Sequence, residues 1–281
     1  MYKYIASSGF FLMSLFSFST CLYAKENNNI FDTHIHYSVR DAEFISPANF
    51  LQILDRNHIM RAIVIGTPAA YMTSLYRAAP DRIMPFLSVY QIPGDKQLWY
   101  RNKTIPHWVS RQLDEGPWVG IGELHLFAAH RSSPVFKAIV KLASERNLIL
   151  QMHADPAVID SLYEYSPEAR VIWAHAGAYP YPPLLRDYLT RYPGLYIDLS
   201  VRDDLIAPGG KLDSEWEELF MDYSDRFMVG VDTYSPQRWS AFDNVILQIN
   251  GWLMQLPKAV SQDLANRNAS RLFESIRSKH K

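Results

Sequence analysis

Short runs of apolar and β-branched residues recur along the chain, and each has a length typical of a buried strand. The eight runs are Ile30–His36, Arg61–Thr67, Ile83–Tyr90, Val119–Leu126, Leu148–His153, Val171–His175, Leu195–Ser200 and Phe227–Asp232. Most intervals between them place apolar residues at helical spacing, as Val135, Ile139 and Leu142 illustrate. The pattern therefore predicts strands that alternate with helices.

Several predicted helices begin at a recognisable signal, a capping side chain followed by proline at the first helical position. These signals are Ser46-Pro47, Thr67-Pro68, Ser133-Pro134, Asp155-Pro156 and Ser235-Pro236. Most of them come directly after a predicted strand, so each helix belongs to the crossover that leads to the next strand.

Eight strand–helix units favour a parallel sheet with right-handed crossovers, and a chain of this length accommodates one (β/α)8 barrel. The alternative is a doubly wound open sheet, but its glycine fingerprint is incomplete, because Gly120 and Gly122 have no third glycine after them. We therefore predict an α/β fold with a single (β/α)8 TIM barrel. The longest connection, Pro93–Pro117, is rich in Trp and Tyr, and we expect a lid or an extra helix there.

The first 24 residues differ from the rest of the chain. Lys3 precedes an apolar run from Ile5 to Phe18, and small residues then lead to Ala24 before charge resumes at Lys25. This plan is typical of a secretory signal peptide that is cleaved after Ala24. The alternatives are an uncleaved membrane anchor and a lipid attached to Cys21.

Cleavage there divides the chain into a signal peptide, 1–24, and a barrel domain, 25–281. Because Cys21 is the only cysteine, the mature chain has none, which excludes disulfides, a cysteine nucleophile and thiolate metal sites. We expect the mature protein to be exported, either periplasmic or secreted.

The charge of the chain narrows the range of partners. Its 28 Lys and Arg residues nearly balance 29 Asp and Glu residues, which gives a net charge of −1. Non-specific binding of nucleic acid depends on a basic surface, so we expect no nucleic-acid partner. We expect a small-molecule substrate and no membrane association after signal cleavage, and homo-oligomerisation stays open.

Ionisable side chains fall at the ends of five of the eight predicted strands. They are His34 and His36 on the first, Glu123 and His125 on the fourth, His153 on the fifth, His175 on the sixth and Asp232 on the eighth. In a (β/α)8 barrel the carboxyl ends of all strands meet on the face that carries the active site. We therefore expect these side chains to converge.

The spacing of His34 and His36 points both imidazoles to the same side of a strand, where they can share one ion. Each residue taken alone has an ordinary interpretation: a half-buried strand histidine, or, for Glu123 and Asp232, a helix cap or a solvated carboxylate. Their coincidence at one end of the barrel favours a metal site, because a cation removes the cost of burying them. Imidazole and carboxylate ligands without cysteine suit Zn²⁺, Mn²⁺ or Fe²⁺.

The order of these motifs resembles the amidohydrolase superfamily, and more closely its amidohydrolase-related branch of metal-dependent hydrolases and decarboxylases. The matching segments are Phe31–His36, Gly120–Glu123, His153, His175–Gly177 and Asp232. The segment Ala265–Phe273 resembles the last helix of that branch. The resemblance covers residues 30–275 and implies a metal-dependent hydrolase barrel with an extra C-terminal helix.

The resemblance also implies roles for single residues. The implied metal ligands are His34, His36, Glu123, His153, His175 and Asp232. Glu123 stands where the family has a bridging carboxylate or a carbamylated lysine, so one or two ions fit, and we expect Zn²⁺. Asp232 is the implied proton shuttle and His175 a ligand or polarising group, which makes these two the candidate catalytic residues.

Residues just beyond the strand ends are candidates for contact with the substrate. We assign this role to His125, Arg131, Arg202 and Tyr234, the two arginines as partners of an anionic substrate. A further expectation is an aromatic wall that comprises Trp173, Tyr179, Tyr181 and Tyr234. The alternative for each is a surface or packing residue.

Two reactions fit such a centre. A metal-activated water hydrolyses a lactone, ester or amide bond of a small molecule, with Asp232 as the general base. The alternative is the non-oxidative decarboxylation of a small carboxylic acid. A different class of function, an exported protein that binds metal without catalysis, requires a closed coordination shell.

Overall fold

A computed structural model describes residues 28–277. Its eight parallel strands follow the same order in the sheet as in the chain. They are β1 (Ile30–His36), β2 (Ile59–Gly66), β3 (Ile83–Leu87), β4 (Gly120–Leu126), β5 (Ile149–Ala154), β6 (Arg170–Trp173), β7 (Leu195–Asp198) and β8 (Phe227–Met228). The predicted signal peptide lies outside the described residues.

The sheet closes between its first strand and the segment that follows its last. The Thr33 backbone N–H donates to the Val229 carbonyl at 3.0 Å, and the Asp232 N–H donates to the His34 carbonyl at 2.7 Å. These bonds satisfy backbone groups that an open sheet would leave at its edge. The prediction of a single (β/α)8 TIM barrel is confirmed.

The helices occupy the crossovers, as the alternating pattern predicts. They are α1 (Val39–Ala42), α2 (Pro47–Arg56), α3 (Ala69–Ala78), α4 (Ile105–Glu115), α5 (Pro134–Glu145), α6 (Pro156–Tyr165), α7 (Pro182–Arg191), α8 (Asp203–Ile206), α9 (Ser214–Asp222), α10 (Pro236–Ser240), α11 (Phe242–Leu253), α12 (Lys258–Gln262) and α13 (Asn268–Arg277). A π-helical turn, Asp263–Arg267, joins the last two. Among residues 28–277, no helix has the length and apolarity that a membrane span requires.

The C-terminal helix α13 confirms the expected addition to the barrel and closes its amino end. Phe273 stacks on Phe31 with ring centroids 5.4 Å apart. Both belong to a buried apolar cluster whose members come from six strands and from α13. This apolar cluster, which we call the plug, fills the half of the barrel at the amino ends of the strands. The polar residues of the strands therefore collect in the half at their carboxyl ends.

The predicted helix starts have two outcomes. The hydroxyls of Ser46, Ser133 and Ser235 accept backbone N–H bonds in the first turns of α2, α5 and α10. Thr67 instead donates to the Ser88 hydroxyl, and α3 begins only after Pro68. Asp155 occupies the cap position of α6, but its carboxylate accepts the Ala128 N–H at 2.7 Å and thereby anchors the loop after β4.

The long connection between β3 and β4 contains the regular crossover helix α4 and two 3-10 turns, Pro93–Gln97 and Trp99–Arg101. The Trp99 side chain is buried, and its indole N–H donates to the His125 carbonyl at 2.8 Å. The connection is therefore attached to the end of β4, close to the strand-end residues that sequence analysis singles out.

Candidate metal centre

Two strands shift register directly before their predicted ligands. The pairing of β1 with β2 shifts between Asp32 and Ile35, and that of β4 with β5 shifts between Ile121 and Leu124. A register shift changes which residues of a strand face inward. In β1 the inward face thus passes from Phe31, which packs on α13, to His34.

At the carboxyl end of the barrel, the six predicted ligands form one cluster with Glu123 at its centre. One carboxylate oxygen, Oε1, lies 3.0 Å from His175 Nε2 and 3.1 Å from His153 Nδ1. The other, Oε2, lies 3.4 Å from His36 Nε2 and 3.7 Å from His34 Nε2. Glu123 is 2% exposed, so solvent does not satisfy this charge.

Asp232 supplies the second carboxylate of the cluster. Its Oδ1 lies 3.3 Å from His36 Nε2 and its Oδ2 lies 3.7 Å from His175 Nε2. The backbone at Asp232 has a φ of +57° and that at His175 a φ of +59°, both in the left-handed region. β6 ends at Trp173 and β8 at Met228, so His175 and Asp232 both lie beyond the strands that the sequence predicts to include them.

Arg202 maintains the turn that presents His175. Its Nε donates to the His175 carbonyl at 2.6 Å and its Nη2 donates to the Gly177 carbonyl at 3.1 Å. Gly177 itself has a φ of +77°, and an added Cβ would lie 2.6 Å from the Trp173 ring. A side chain at Gly177 is therefore excluded both by its conformation and by its neighbour.

The nitrogen and oxygen atoms of the cluster fit a cation. His34 Nε2 and His36 Nε2 face each other at 3.2 Å, and Asp232 Oδ1 is buried without a hydrogen bond. Three donor sets have ligand atoms within 4.8 Å of one another: His34, His175 and Asp232; His34, His36 and Glu123; and Glu123, His125 and His153. Buried acceptors that converge without donors are costly unless a positive charge lies between them.

The charges of the cluster shift its pKa values strongly. Burial raises the pKa of Glu123, but the neighbouring His125 and His34 and hydrogen bonds from His153 and His175 outweigh it and hold this pKa well below its usual range. Burial likewise opposes the ionised form of Asp232, but the neighbouring His34, His36 and His175 lower its pKa to about 2. Both carboxylates are therefore anionic at neutral pH.

The imidazoles of β1 shift in the opposite direction. Burial lowers the pKa of His34, but the charges of Asp232 and Glu123 and a hydrogen bond with Asp198 raise it well above the usual value. The pKa of His36 is raised by the same two carboxylates against the effect of burial. Without a cation, protons therefore compensate the negative charge, and a divalent ion has to displace them.

The residues predicted to contact substrate lie in different environments. His125 is part of the cluster, with its ring stacked 4.2 Å from that of His153 and its Nε2 3.5 Å from Glu123 Oε2. Arg131 is exposed and donates to the Ala128 carbonyl, and Arg202 donates to the two backbone carbonyls of His175 and Gly177. Tyr234 is 67% exposed, beside Asp232 in the same loop.

The expected aromatic wall needs one change. Trp173 is fully buried, and its indole N–H donates to the Ala154 carbonyl at 2.9 Å, so it belongs to the core between barrel and helices. Tyr179 and Tyr181 are exposed in the loop after β6. The prediction places Trp173 in the wall of the site because this residue lies at a strand end. Side chains of a strand alternate between the barrel interior and the helices, and Trp173 points towards the helices.

Two residues at and just beyond the end of β7 touch the cluster, although the sequence predictions do not include them. Asp198 Oδ2 lies 2.7 Å from His34 Nδ1, and the Ser200 hydroxyl lies 2.9 Å from His175 Nδ1. Tyr90 is a third, because its hydroxyl lies 3.1 Å from His125 Nδ1. The signal for the first two is visible in the sequence: Tyr196, Asp198 and Ser200 alternate with apolar residues at the period of a strand.

Comparison with known proteins adds to this geometry. A sequence profile for a family described as amidohydrolase matches residues 31–274. Among curated proteins, none matches the chain.

Solved structures share the fold at low sequence identity. A probable 2-pyrone-4,6-dicarboxylic acid hydrolase from Acinetobacter baumannii, with citric acid bound, is 17% identical, with a TM-score of 0.62 over 88% of this chain and 99% of that one. A putative enzyme of the same name from Pseudomonas putida is 14% identical, with a TM-score of 0.61 over 88% and 97%. A TatD homolog from Escherichia coli is 15% identical, with a TM-score of 0.59 over 88% and 98%.

Proposed function

Because the chain belongs to the amidohydrolase family, we propose that it is a metal-dependent hydrolase that cleaves a lactone, ester or amide bond of a small molecule. The observation that carries this proposal is the cluster of imidazoles around the buried carboxylates of Glu123 and Asp232 at the carboxyl end of the barrel. Two structural neighbours are named as hydrolases of a pyrone dicarboxylic acid, which supports hydrolysis as the reaction type.

The residues present would hold one or two divalent ions, with Glu123 shared between two of the three donor sets. We propose Zn²⁺, because imidazole and carboxylate ligands suit it. When bound, such an ion lowers the pKa of a water ligand and polarises the substrate carbonyl. The metal ligands in this proposal are His34, His36, Glu123, His153, His175 and Asp232.

Asp232 has the position and charge of the general base. Its carboxylate accepts one proton from the attacking water as the water oxygen bonds to the carbonyl carbon. The proton then passes to the leaving oxygen or nitrogen as the carbon–heteroatom bond breaks, which returns Asp232 to its anionic form. In this proposal His175 Nε2, 3.7 Å from Asp232 Oδ2, would help to stabilise the oxyanion through the ion that it would hold.

The test begins with the metal content of the purified full chain and a panel of lactones, esters, amides and aromatic carboxylates. We expect bound metal and hydrolysis of at least one neutral carbonyl class, lost on chelation and restored by Zn²⁺. The double variant His34→Ala, His36→Ala should lose metal and activity, whereas His107→Ala, an exposed histidine on α4, should keep both.

Other outcomes assign the protein elsewhere. Release of CO₂ from a carboxylate without hydrolysis of any other compound would identify a decarboxylase. Tight metal binding with no turnover of any compound would identify a non-catalytic metal-binding protein. Full metal content in the double variant would overturn the assignment of His34 and His36 as ligands.

A further inference from the structure

Two buried side chains at the end of β7, Asp198 and Ser200, connect two of the proposed ligands. Both residues are fully buried. Asp198 Oδ2 is 2.7 Å from His34 Nδ1 and 2.7 Å from the Ser200 hydroxyl, and that hydroxyl is 2.9 Å from His175 Nδ1. The rings of His34 and His175 stack at 4.9 Å, so the chain of contacts joins neighbours.

The hydrogens of this chain can be assigned by counting donors. A carboxylate only accepts, so both His34 Nδ1 and the Ser200 hydroxyl must donate to Asp198. Since a hydroxyl has one hydrogen, Ser200 has none left for His175, and its oxygen must accept the hydrogen of His175 Nδ1. Gln151 Nε2 also lies 3.2 Å from His34 Nδ1 and donates one hydrogen to the Thr33 carbonyl at 3.1 Å. Its second hydrogen has no acceptor in His34 Nδ1, because that nitrogen carries the hydrogen that goes to Asp198.

We propose that Asp198 and Ser200 form a positioning pair that sets the same tautomer in His34 and His175, with hydrogen on Nδ1 and the lone pair on Nε2. This inference rests on the metal centre proposed above and adds residues that hold its ligands rather than contact the ion. Both Nε2 atoms then offer lone pairs to the cluster. His175 Nε2 in particular faces Glu123 Oε1 at 3.0 Å, two acceptors that a cation or a proton must separate.

Gly230 leaves room for the Asp198 carboxylate beside the His34 imidazole. A Cβ on Gly230 would lie 2.8 Å from Asp198 Oδ1 and 3.0 Å from His34 Cβ, so any side chain there would push the carboxylate from the imidazole. Asp198 Oδ1 is itself held by the Ser200 backbone N–H at 2.9 Å. The carboxylate thus has fixed partners on both oxygens and a glycine that leaves it room.

Two substitutions in the full chain test the pair. Ser200→Ala removes the hydroxyl that joins Asp198 to His175. Asp198→Asn keeps the shape but has one oxygen, so no orientation of the amide accepts from His34, the Ser200 hydroxyl and the Ser200 N–H together. Ser166→Ala is the matched control. Ser166 is also a buried serine, it lies before the start of β6, and its hydroxyl donates to the Ser144 hydroxyl.

The first readout is Zn²⁺ affinity, measured by competition with a chromophoric chelator. Loss of a group that orients a ligand histidine typically weakens metal binding about 10- to 100-fold, and we expect this range for both variants and no change in Ser166→Ala. The second readout is ¹⁵N NMR of the histidine rings in the Zn²⁺-loaded protein, because a ring that is protonated in the absence of an ion carries hydrogen on both nitrogens. We expect Nδ1–H on His34 and His175 in the wild type and a changed His175 tautomer in Ser200→Ala.

The outcomes separate this inference from the proposed hydrolase function. Wild-type affinity and an unchanged His175 tautomer in Ser200→Ala would overturn the positioning pair, whatever the enzyme hydrolyses. Weaker metal binding in both variants of a protein that hydrolyses nothing would support the pair and contradict the hydrolase. If Asp198→Asn fails to fold, as circular dichroism would detect, Ser200→Ala alone decides.

Discussion

Replacing Asp232 by asparagine separates proton transfer from metal binding. The side chain is 4% exposed and its backbone has a φ of +57°, a conformation in which asparagine is among the best tolerated residues. The backbone N–H that bonds to the His34 carbonyl is unaffected by the change. Asparagine retains one oxygen that can coordinate an ion, but it cannot accept a proton from water. We therefore expect Asp232→Asn to fold and to keep most of its metal.

The expected loss lies in kcat. General acid–base catalysis typically contributes about 10²- to 10⁴-fold, which corresponds to about 3 to 5 kcal/mol of activation free energy. The assay compares kcat, KM and metal content of wild type and Asp232→Asn on a substrate from the panel. Asp203→Asn is the matched control, because Asp203 is a buried carboxylate that bonds to the Trp252 indole outside the cluster. Full kcat in Asp232→Asn would refute its role as the base and direct attention to Glu123.

Three further predictions concern stability, metal uptake and processing. Trp173→Ala should lower the free energy of unfolding by about 3 to 5 kcal/mol in denaturant titrations. The control Tyr181→Ala, at an exposed residue, should change it by less than about 0.5 kcal/mol. Equal effects of the two substitutions would contradict the packing of Trp173 in the core. Because the pKa of His34 is raised, protons compete with the ion as pH falls, so Zn²⁺ affinity should be weaker at about pH 6 than at about pH 8, and a pH-independent affinity in chelator competition would contradict this. Intact-mass measurement of the exported protein should show cleavage after Ala24, and retention of Met1 would contradict it.

The barrel was predictable because its strands are buried on both faces and therefore form continuous apolar runs. Their carboxyl ends were less predictable. The predicted eighth strand extends to Asp232, but the ladder ends at Met228, and the sixth ends at Trp173 before His175. Hydrophobic periodicity carries no information about left-handed residues such as Asp232 and His175, which leave the ladder and turn their side chains to the cluster.

The metal cluster was predictable where one local rule was enough. The spacing of His34 and His36 places both rings on one side of β1, whatever the rest of the fold does. Asp198 and Ser200 obey the same rule, but their importance depends on barrel closure, which brings β7 within two strands of β1. The contact of Asp198 with His34 joins residues that are 164 positions apart. The directions of Arg131 and Arg202 were unpredictable for another reason, because beyond a strand end no period sets where a side chain points.

The two register shifts explain how the barrel interior holds a layer of charged side chains directly above an apolar layer. In an unbroken strand, the face that presents Phe31 to the apolar plug would next present Thr33, and His34 would face the helices. The shift after Asp32 returns His34 to the interior above that plug, and the shift after Ile121 does the same for Glu123. β5 needs no shift, because Ile149 of the plug lies an even number of residues before His153. β8 ends at Met228, and Asp232 reaches the cluster from the segment that follows the strand. The layer of imidazoles and carboxylates thus depends on the register shifts in β1 and β4. Without these shifts, the regular pleat of the two strands would point His34 and Glu123 towards the helices.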